Sequence, residues 1–101
     1  MNTQDDLVIL KGTFLKSQWP KCNLIAEQLL QIGTEEAKSI LLEGLKGKHH
    51  HLRTAAIRAL TSFHDASIIM HLVPLLNDPA YETRVQAKKS IEELSGEAKL
   101  D

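Results

Sequence analysis

The stretch Lys48–Asp78, KHHHLRTAAIRALTSFHDASIIMHLVPLLND, decides the fold of this chain. When it is shifted along the chain so that Leu60 falls on Leu29 or on Ile91, Phe63 falls on Ile32 or Leu94 and Ala56 falls on Ile25 or Ala87. A fixed period of this length is typical of an array in which one helical hairpin is repeated, and in which each hairpin buries its apolar face against its neighbours. We therefore predict an all-α chain, an α-α superhelix of helical hairpins with period 31.

The register holds in both helices of the repeated hairpin. Positions one period apart keep their apolar character: Leu29, Leu60 and Ile91 in the first helices, and Leu10, Leu41 and Leu72 in the second helices. A chance alignment would not preserve two helical faces at once. This is expected when each hairpin buries its face only against its neighbours.

Composition agrees with a helical chain of modest size. The 101 residues suffice for one domain, and only 4% of them are aromatic, so the core must be built from Leu, Ile, Val and Ala. Twelve Lys and Arg against thirteen Asp and Glu give a net charge of −1. This balance argues against a general nucleic-acid binder, because such domains are usually strongly basic.

The compartment is predicted from the cysteine usage and the amino terminus. The single Cys22 cannot form an internal disulfide, and one thiol does not make a metal site. The opening MNTQDD lacks the basic flank of a signal peptide, and the apolar run Leu7–Leu10 is too short to span a bilayer. We expect a cytoplasmic protein with no membrane contact.

Caps and breakers divide the chain. We predict one domain over residues 1–101, with an N-terminal helix at 5–16, a first hairpin at 20–46, a second hairpin at 49–77 and a C-terminal capping helix at 81–95. Asp5 or Asp6 is the predicted cap of the first helix, and Thr34 caps the second helix of the first hairpin. Gly33 and the pair Ser95-Gly96 are predicted helix stops.

Two stretches resemble a known repeat. The run Arg53–Leu60, together with Asp78-Pro79 and the following Arg84–Ala87, resembles the HEAT-repeat pattern, especially the short HEAT-like repeats of phycobilisome lyase subunits. The resemblance covers residues 5 to 96 or so. It implies the fold far more firmly than an activity.

The resemblance also implies a ladder of charges along the stack. In that family an Asp between repeats pairs with an Arg six residues later, and Asp78 and Arg84 match this spacing. The middle copy departs from the pattern, since Gly47 stands where the Asp should precede Arg53. The first copy has Cys22 where the Arg should stand. We expect Arg53 and Arg84 to be structural charges, with substrate binding as the alternative.

The concave face of a HEAT-like stack is lined by the second helices. By resemblance, the candidate partner-binding positions are Glu35, Ser39, Glu43, Met70, Pro74 and Asn77. Pro74 lies inside a predicted helix over 66–77, where it removes one hydrogen bond from the carbonyl of Met70 and should produce a kink. That kink either shapes a binding surface or only adjusts the curvature of the stack.

The N-terminal helix is apolar on more than one side. Leu7, Leu10 and Phe14 form its core stripe, and a candidate apolar end lies outside this stripe, consisting of Val8, Leu15 and Trp19. These side chains are either buried between neighbouring helices or form a contact surface. If the protein forms a homodimer, this helix is the predicted interface.

A basic loop joins the two hairpins and consists of Lys46, Lys48, His49, His50, His51 and Arg53. Consecutive side chains on a helix point about 100° apart, so the three His should not all bind one metal ion. A solvated loop and a contact with an anion or acidic partner are the other interpretations. We predict no metal site.

Nothing in the sequence has the pattern of a catalytic constellation. Ser62, His64 and Asp65 are nearly consecutive, whereas a hydrolase triad needs side chains that converge from separate backbone positions. We predict a helix end capped by Asp65, no enzyme and no cofactor. The leading hypothesis is a protein-protein interaction or scaffold module. The alternative, from resemblance alone, is an accessory subunit of a bilin lyase-like or other chromophore-handling enzyme, and a nucleic-acid enzyme ranks third.

Overall fold

The computed structural model describes the backbone of residues 3–99 and the side chains of residues 6–96. Residues 3–99 contain no β-strand and form six α-helices: α1 Thr3–Lys16, α2 Lys21–Ile32, α3 Glu35–Gly44, α4 His50–Thr61, α5 Ile69–Leu72 and α6 Tyr81–Lys99. Two 3-10 helical turns, Ala66–Ile68 and Val73–Asn77, flank the short α5. The all-helical prediction is confirmed. The ends of the predicted domain, residues 1, 2, 100 and 101, lie outside the described residues.

The helices pack in two layers. In one layer α2 packs against α4, and α4 packs against α6, while α3 contacts both α1 and α4. The molecule measures 41 × 33 × 18 Å. Its shortest dimension accommodates two helices, because a helix with its side chains is about 10 Å across.

Aliphatic side chains fill the space between the layers. Leu29 and Leu60, which lie one period apart, are fully buried, and so are Leu41 and Leu72. Phe14 from α1 is buried among them. Burying a side chain of this size contributes about 1.5–3 kcal/mol, so the repeated Leu positions supply much of the stability.

Local capping follows the sequence at two helix ends. Gly33 adopts a left-handed conformation with φ 67° and donates its N–H to the carbonyl of Leu29, which ends α2. The Thr34 hydroxyl accepts a hydrogen bond from the Ala37 N–H at 3.2 Å and starts α3. Both roles were predicted from residue type, because a left-handed helix end favours glycine and a helix start favours a side-chain hydroxyl that accepts a free N–H.

Two predicted helix ends are wrong. α1 begins at Thr3, so Asp5 and Asp6 lie inside the helix and do not cap it. The side chain of Asp5 lies outside the described residues. α6 continues through Ser95-Gly96 to Lys99. A glycine inside a helix costs only about 1 kcal/mol relative to alanine, and the good helix formers that follow Gly96 outweigh it.

Pro74 does more than kink its helix. The predicted continuous helix over 66–77 is replaced by α5, which has four residues, with a 3-10 turn on each side. Pro74 lies at the start of the second turn. Because proline lacks an N–H and its ring collides with the carbonyl four residues earlier, it kinks or breaks an α-helix, and here the helix is broken.

Within residues 3–99, no helix has the length and apolar character required to cross a membrane.

Candidate functional site

Arg53, in the first turn of α4, pairs with Asp78, which lies between the second hairpin and α6. Its Nε donates to Asp78 Oδ2 at 2.7 Å and its Nη2 donates to Asp78 Oδ1 at 2.9 Å. The predicted partner of Asp78, Arg84, binds the main chain of Asp78 instead, with Nη1 at 2.7 Å from the carbonyl oxygen. The Asp78 carboxylate also accepts the Ala80 N–H, which orients it toward α4. The pairing therefore joins α4 to the connection that precedes α6, and it is not the Asp78–Arg84 pair that the resemblance implies.

The Asp78 carboxylate is nearly buried, with 4% of the side chain exposed. Burial opposes its ionisation, but the hydrogen bonds from Arg53 and from the Ala80 N–H outweigh burial and lower its pKa below the usual value. Arg53 faces an ionised carboxylate and is itself only 13% exposed. This geometry fits the structural interpretation of Arg53.

The candidate concave positions divide into two groups. All six are exposed. Glu35, Ser39 and Glu43 belong to α3, whereas Met70 belongs to α5 and Pro74 and Asn77 to the turn that follows it. The α3 group lines a groove of about 430 Å³, which we call the α1–α3 groove, formed by Leu7, Val8, Lys11, Glu35, Glu36, Ser39, Ile40 and Glu43.

The α1–α3 groove has an apolar floor and an acidic rim. Leu7 and Ile40 are buried beneath it, while Val8 is 69% exposed and stands at its edge. The rim holds the carboxylates of Glu35, Glu36 and Glu43, and only the ammonium of Lys11 opposes them. Since Lys11 pairs with Glu43 at 3.1 Å, the groove keeps a net negative charge.

A second hollow lies on the other side of α3. It is smaller, at about 310 Å³, and Glu35 and Ser39 line it together with Ser67 and His71 from the 66–77 segment. Met70, Pro74 and Asn77 line neither hollow. Of the six candidate positions, those on α3 line one or both of these hollows, and the partner-binding role of all six stays a prediction.

The candidate apolar end is not one patch. Val8 lines the α1–α3 groove, and Leu15 is half-buried against the core and faces a separate hollow with Lys46. The exposed Trp19 places its ring centroid 6.2 Å from that of His51. Ile9, which was not among the residues predicted from the sequence, is 64% exposed beside Val8. The only sequence signal for it was the apolar character of α1 on every side.

The basic loop separates into three parts. Lys46, Lys48 and His49 are exposed around a hollow of about 580 Å³. Arg53 is held by Asp78 and by the carbonyl oxygens of residues 47 and 48. His50 and His51 turn toward the next hairpin. The six residues therefore do not act as a single basic surface.

His50 and His51 converge on Glu82 of α6. The Nδ1 atoms of the two His lie 3.7 Å and 4.0 Å from Glu82 Oε2, and their ring centroids are 4.0 Å apart. The ligand atoms of the three residues lie within 4.8 Å of one another. His49 points elsewhere, with its Nε2 3.4 Å from Gln18 Nε2.

Glu82 was not among the candidate residues predicted from the sequence. It lies one period after His51, and the period was the available signal, because equivalent positions of successive hairpins become neighbours in a stack. The prediction was that the three consecutive His side chains would point apart and could not all bind one metal ion. At the start of α4, two of the three side chains nevertheless meet on Glu82 of α6.

The Ser62, His64 and Asp65 segment has the geometry of a helix end. The Ser62 hydroxyl donates to the carbonyl of Arg58 in its own helix at 3.4 Å. Asp65 accepts the Ser67 N–H at 2.9 Å and contacts Lys38 Nζ. The hydrogen bond from Lys38 is the main cause that lowers the Asp65 pKa to about 2. The Asp65 carboxylate is therefore hydrogen-bonded both to Lys38 and to the Ser67 N–H that it caps.

Comparison with known proteins assigns no family. No protein-family model matches this sequence. A search of curated proteins also finds no match.

Proposed function

We propose that this chain is a non-catalytic protein-binding module built from HEAT-like hairpins, and that its binding surface is the α1–α3 groove. One observation carries the proposal: an open apolar floor beside the exposed Val8 is bordered by three carboxylates and one ammonium. Exposed apolar surface with a polar rim is the usual form of a protein-binding patch.

The stacked architecture supports this proposal. α2, α4 and α6 pack in sequence order, as the first helices of successive hairpins would. Arg53 and Arg84, one period apart, hold equivalent carbonyl oxygens. A stack of this kind presents its second helices, here α1, α3 and α5, on one side. We also propose that the protein works in the cytoplasm, where its single thiol, Cys22, would stay reduced.

The groove favours a basic, amphipathic partner segment. α3 has ten residues, so the groove beside it is about 15 Å long at 1.5 Å per residue, which matches two to three turns of a partner helix. Apolar side chains at helical spacing would pack on Leu7, Val8 and Ile40, as in other helix-in-groove complexes. Lys or Arg side chains would face Glu35 and Glu36, and this attraction would speed association at low salt.

A pair of synthetic helical peptides tests the proposal. One peptide has leucines on one face and lysines on the other, and the second carries glutamates in place of the lysines. We expect only the lysine peptide to bind, with an affinity that falls as salt rises. Replacing Glu35 and Glu36 by Lys should abolish binding, and Val8→Asp should weaken it.

A matched control separates the groove from general charge. Glu92 and Glu93 are an exposed acidic pair on α6, so replacing both by Lys makes the same charge change elsewhere. This control should leave binding intact. Equal losses in the two double variants, or equal binding of both peptides, would mean that the groove is not the site. Bilin binding, detected as a change in visible absorbance, would favour the chromophore-handling alternative.

A homodimer through α1 is a second candidate, because Val8 and Ile9 are adjacent and both are exposed. Light scattering at several concentrations tests it. A dimer that Ile9→Asp dissociates would support this interface, and a monomer at every concentration would refute it. Trp19→Ser is the control, since Trp19 lies beside His51 and does not line the hollow that contains Val8 and Ile9.

A further inference from the structure

We propose that His50, His51 and Glu82 form a binding site for a divalent transition-metal ion, and that Zn²⁺ is the best match. The site joins the first turn of α4 to the first turn of α6. It is independent of the α1–α3 groove, since none of the three residues lines that groove.

The spacing of the donor atoms is close to that of a coordinated ion. Zn²⁺ binds imidazole nitrogen and carboxylate oxygen at about 2.0–2.2 Å, so ligands in a tetrahedron lie about 3.4 Å apart. The separations from Glu82 Oε2 are 3.7 Å to His50 Nδ1 and 4.0 Å to His51 Nδ1. All three side chains are about half exposed, so they can rotate into contact with an ion without repacking the core.

The Nδ1 atom of His50 supplies independent support. It is buried, although the rest of the ring is partly exposed, and it has no hydrogen-bond partner. A buried polar atom without a partner is rare in folded proteins, and an unrecorded ion is one of its ordinary explanations. Coordination to a metal ion would provide the missing partner.

The donor types define the class of ion. Two imidazoles and one carboxylate suit Zn²⁺ and its neighbours Co²⁺, Ni²⁺ and Cu²⁺. Ca²⁺ and Mg²⁺ prefer sites made of oxygen atoms and would bind poorly here. Three protein ligands leave one tetrahedral position for water.

The ion would connect two successive hairpins. His51 and Glu82 are one period apart, so the metal ion would bridge equivalent positions of the stack. The Arg53–Asp78 pair joins α4 to the segment that precedes α6. Since an ion that binds only the folded chain raises stability by mass action, Zn²⁺ should raise the Tm.

Trp19 is a natural reporter for this site. It is the single tryptophan of the chain, and its ring centroid lies 6.2 Å from that of His51. Paramagnetic Co²⁺ bound to His51 should quench its fluorescence. The visible absorption of bound Co²⁺ would also report the coordination number directly.

The experiment titrates the full-length protein with Zn²⁺ by calorimetry and with Co²⁺ by absorption and Trp19 fluorescence. We expect one ion per chain, and no comparable heat with Mg²⁺ or Ca²⁺. His51→Asn and Glu82→Gln should each weaken Zn²⁺ binding at least about tenfold, the smaller end of the loss seen even for outer-shell changes. The same variants should lose the rise in Tm.

Two histidines outside the cluster give matched controls. His49→Asn changes the same run, and His71→Asn changes an exposed His on α5. Both should bind Zn²⁺ as the unaltered protein does. If His49→Asn weakens binding as much as His51→Asn, the run binds ions adventitiously and the proposal fails. It also fails if Glu82→Gln has no effect, or if the unaltered protein does not bind Zn²⁺. If His51→Asn does not fold, Glu82→Gln decides the test. Glu82 is exposed near the start of α6, so its replacement should not disturb the core.

Discussion

Arg53 and Arg84, which lie one period apart, make the same main-chain hydrogen bonds. The Nη1 of Arg53 donates to the carbonyl oxygens of Gly47 and Lys48 at 2.9 Å and 3.2 Å, and the Nη1 of Arg84 donates to those of Asp78 and Pro79 at 2.7 Å and 3.2 Å. A main-chain carbonyl oxygen is available as an acceptor whatever the side chain of that residue is. Gly47 can therefore stand where the other copy has an aspartate.

The two arginines should differ in their contribution to stability. Arg53→Ala leaves the nearly buried Asp78 carboxylate without its counter-ion, which should cost about 3–5 kcal/mol of unfolding free energy. Arg84→Ala removes hydrogen bonds to carbonyl oxygens, with an expected cost of about 1 kcal/mol. Urea unfolding of both variants measures the difference. Equal costs would show that the Asp78 pair adds nothing beyond the shared main-chain contacts.

Stability should fall in acid through two aspartates. The pKa of Asp65 is about 2 in the folded protein and that of Asp78 is also lowered, whereas the ordinary value is 3.8. The unfolded chain therefore binds more protons as the pH drops below about 5, and the stability that these groups supply above that pH is lost progressively toward pH 2. Asp65→Asn should reduce this slope, and the variant should approach the original protein at low pH. Urea midpoints measured from pH 2 to 6 test this, and parallel curves would contradict it.

Local signals predicted much of the helix pattern. A left-handed residue at a helix end favours glycine, as at Gly33, and the unpaired N–H groups of a first helical turn favour a capping hydroxyl, as at Thr34. The errors arose where propensities compete over several residues, as at Gly96, which the surrounding helix formers carry into α6. The cluster on Glu82 depends on contact between repeats. Glu82 lies far from the basic loop in the sequence, so inspection of the loop alone could not identify it as a neighbour of His51. The period of 31 residues could have done so, because Glu82 lies one period after His51.

Replacement of two helical glycines by alanine should change the stability of the protein in opposite directions. A Cβ at Gly44 would lie 2.7 Å from Phe14 Cε2 and 3.1 Å from Ala56 Cβ, so Gly44→Ala should destabilise the protein by about 1–3 kcal/mol through overpacking. Gly12, inside α1, has no atom within 4 Å of the added Cβ. Gly12→Ala should stabilise by about 0.5–1 kcal/mol, because glycine loses more freedom in a helix. Thermal unfolding followed by circular dichroism distinguishes the two signs.

A buried hydroxyl pair joins α4 to α6. Thr54 and Thr83 are both buried, and their Oγ1 atoms lie 3.0 Å apart. Thr83→Val should cost about 1–3 kcal/mol, since it leaves the Thr54 hydroxyl without this partner. The double variant Thr54→Val/Thr83→Val keeps the shape and removes both groups, so it should be more stable than the single variant. A double variant whose loss equals the sum of two singles would mean that the hydroxyls do not interact.

Cys22 should report how often the core opens. The thiol is fully buried in α2, and burial raises its pKa, so both access and thiolate fraction are low in the folded protein. We expect slow labelling by an aromatic disulfide reagent in native buffer and rapid labelling in urea. Because Arg53→Ala weakens the contact between α4 and the segment before α6, it should accelerate native labelling in proportion to its lost stability if opening is global. Labelling that stays unchanged in this variant would show that α2 opens locally, without separation of the hairpin that contains α4.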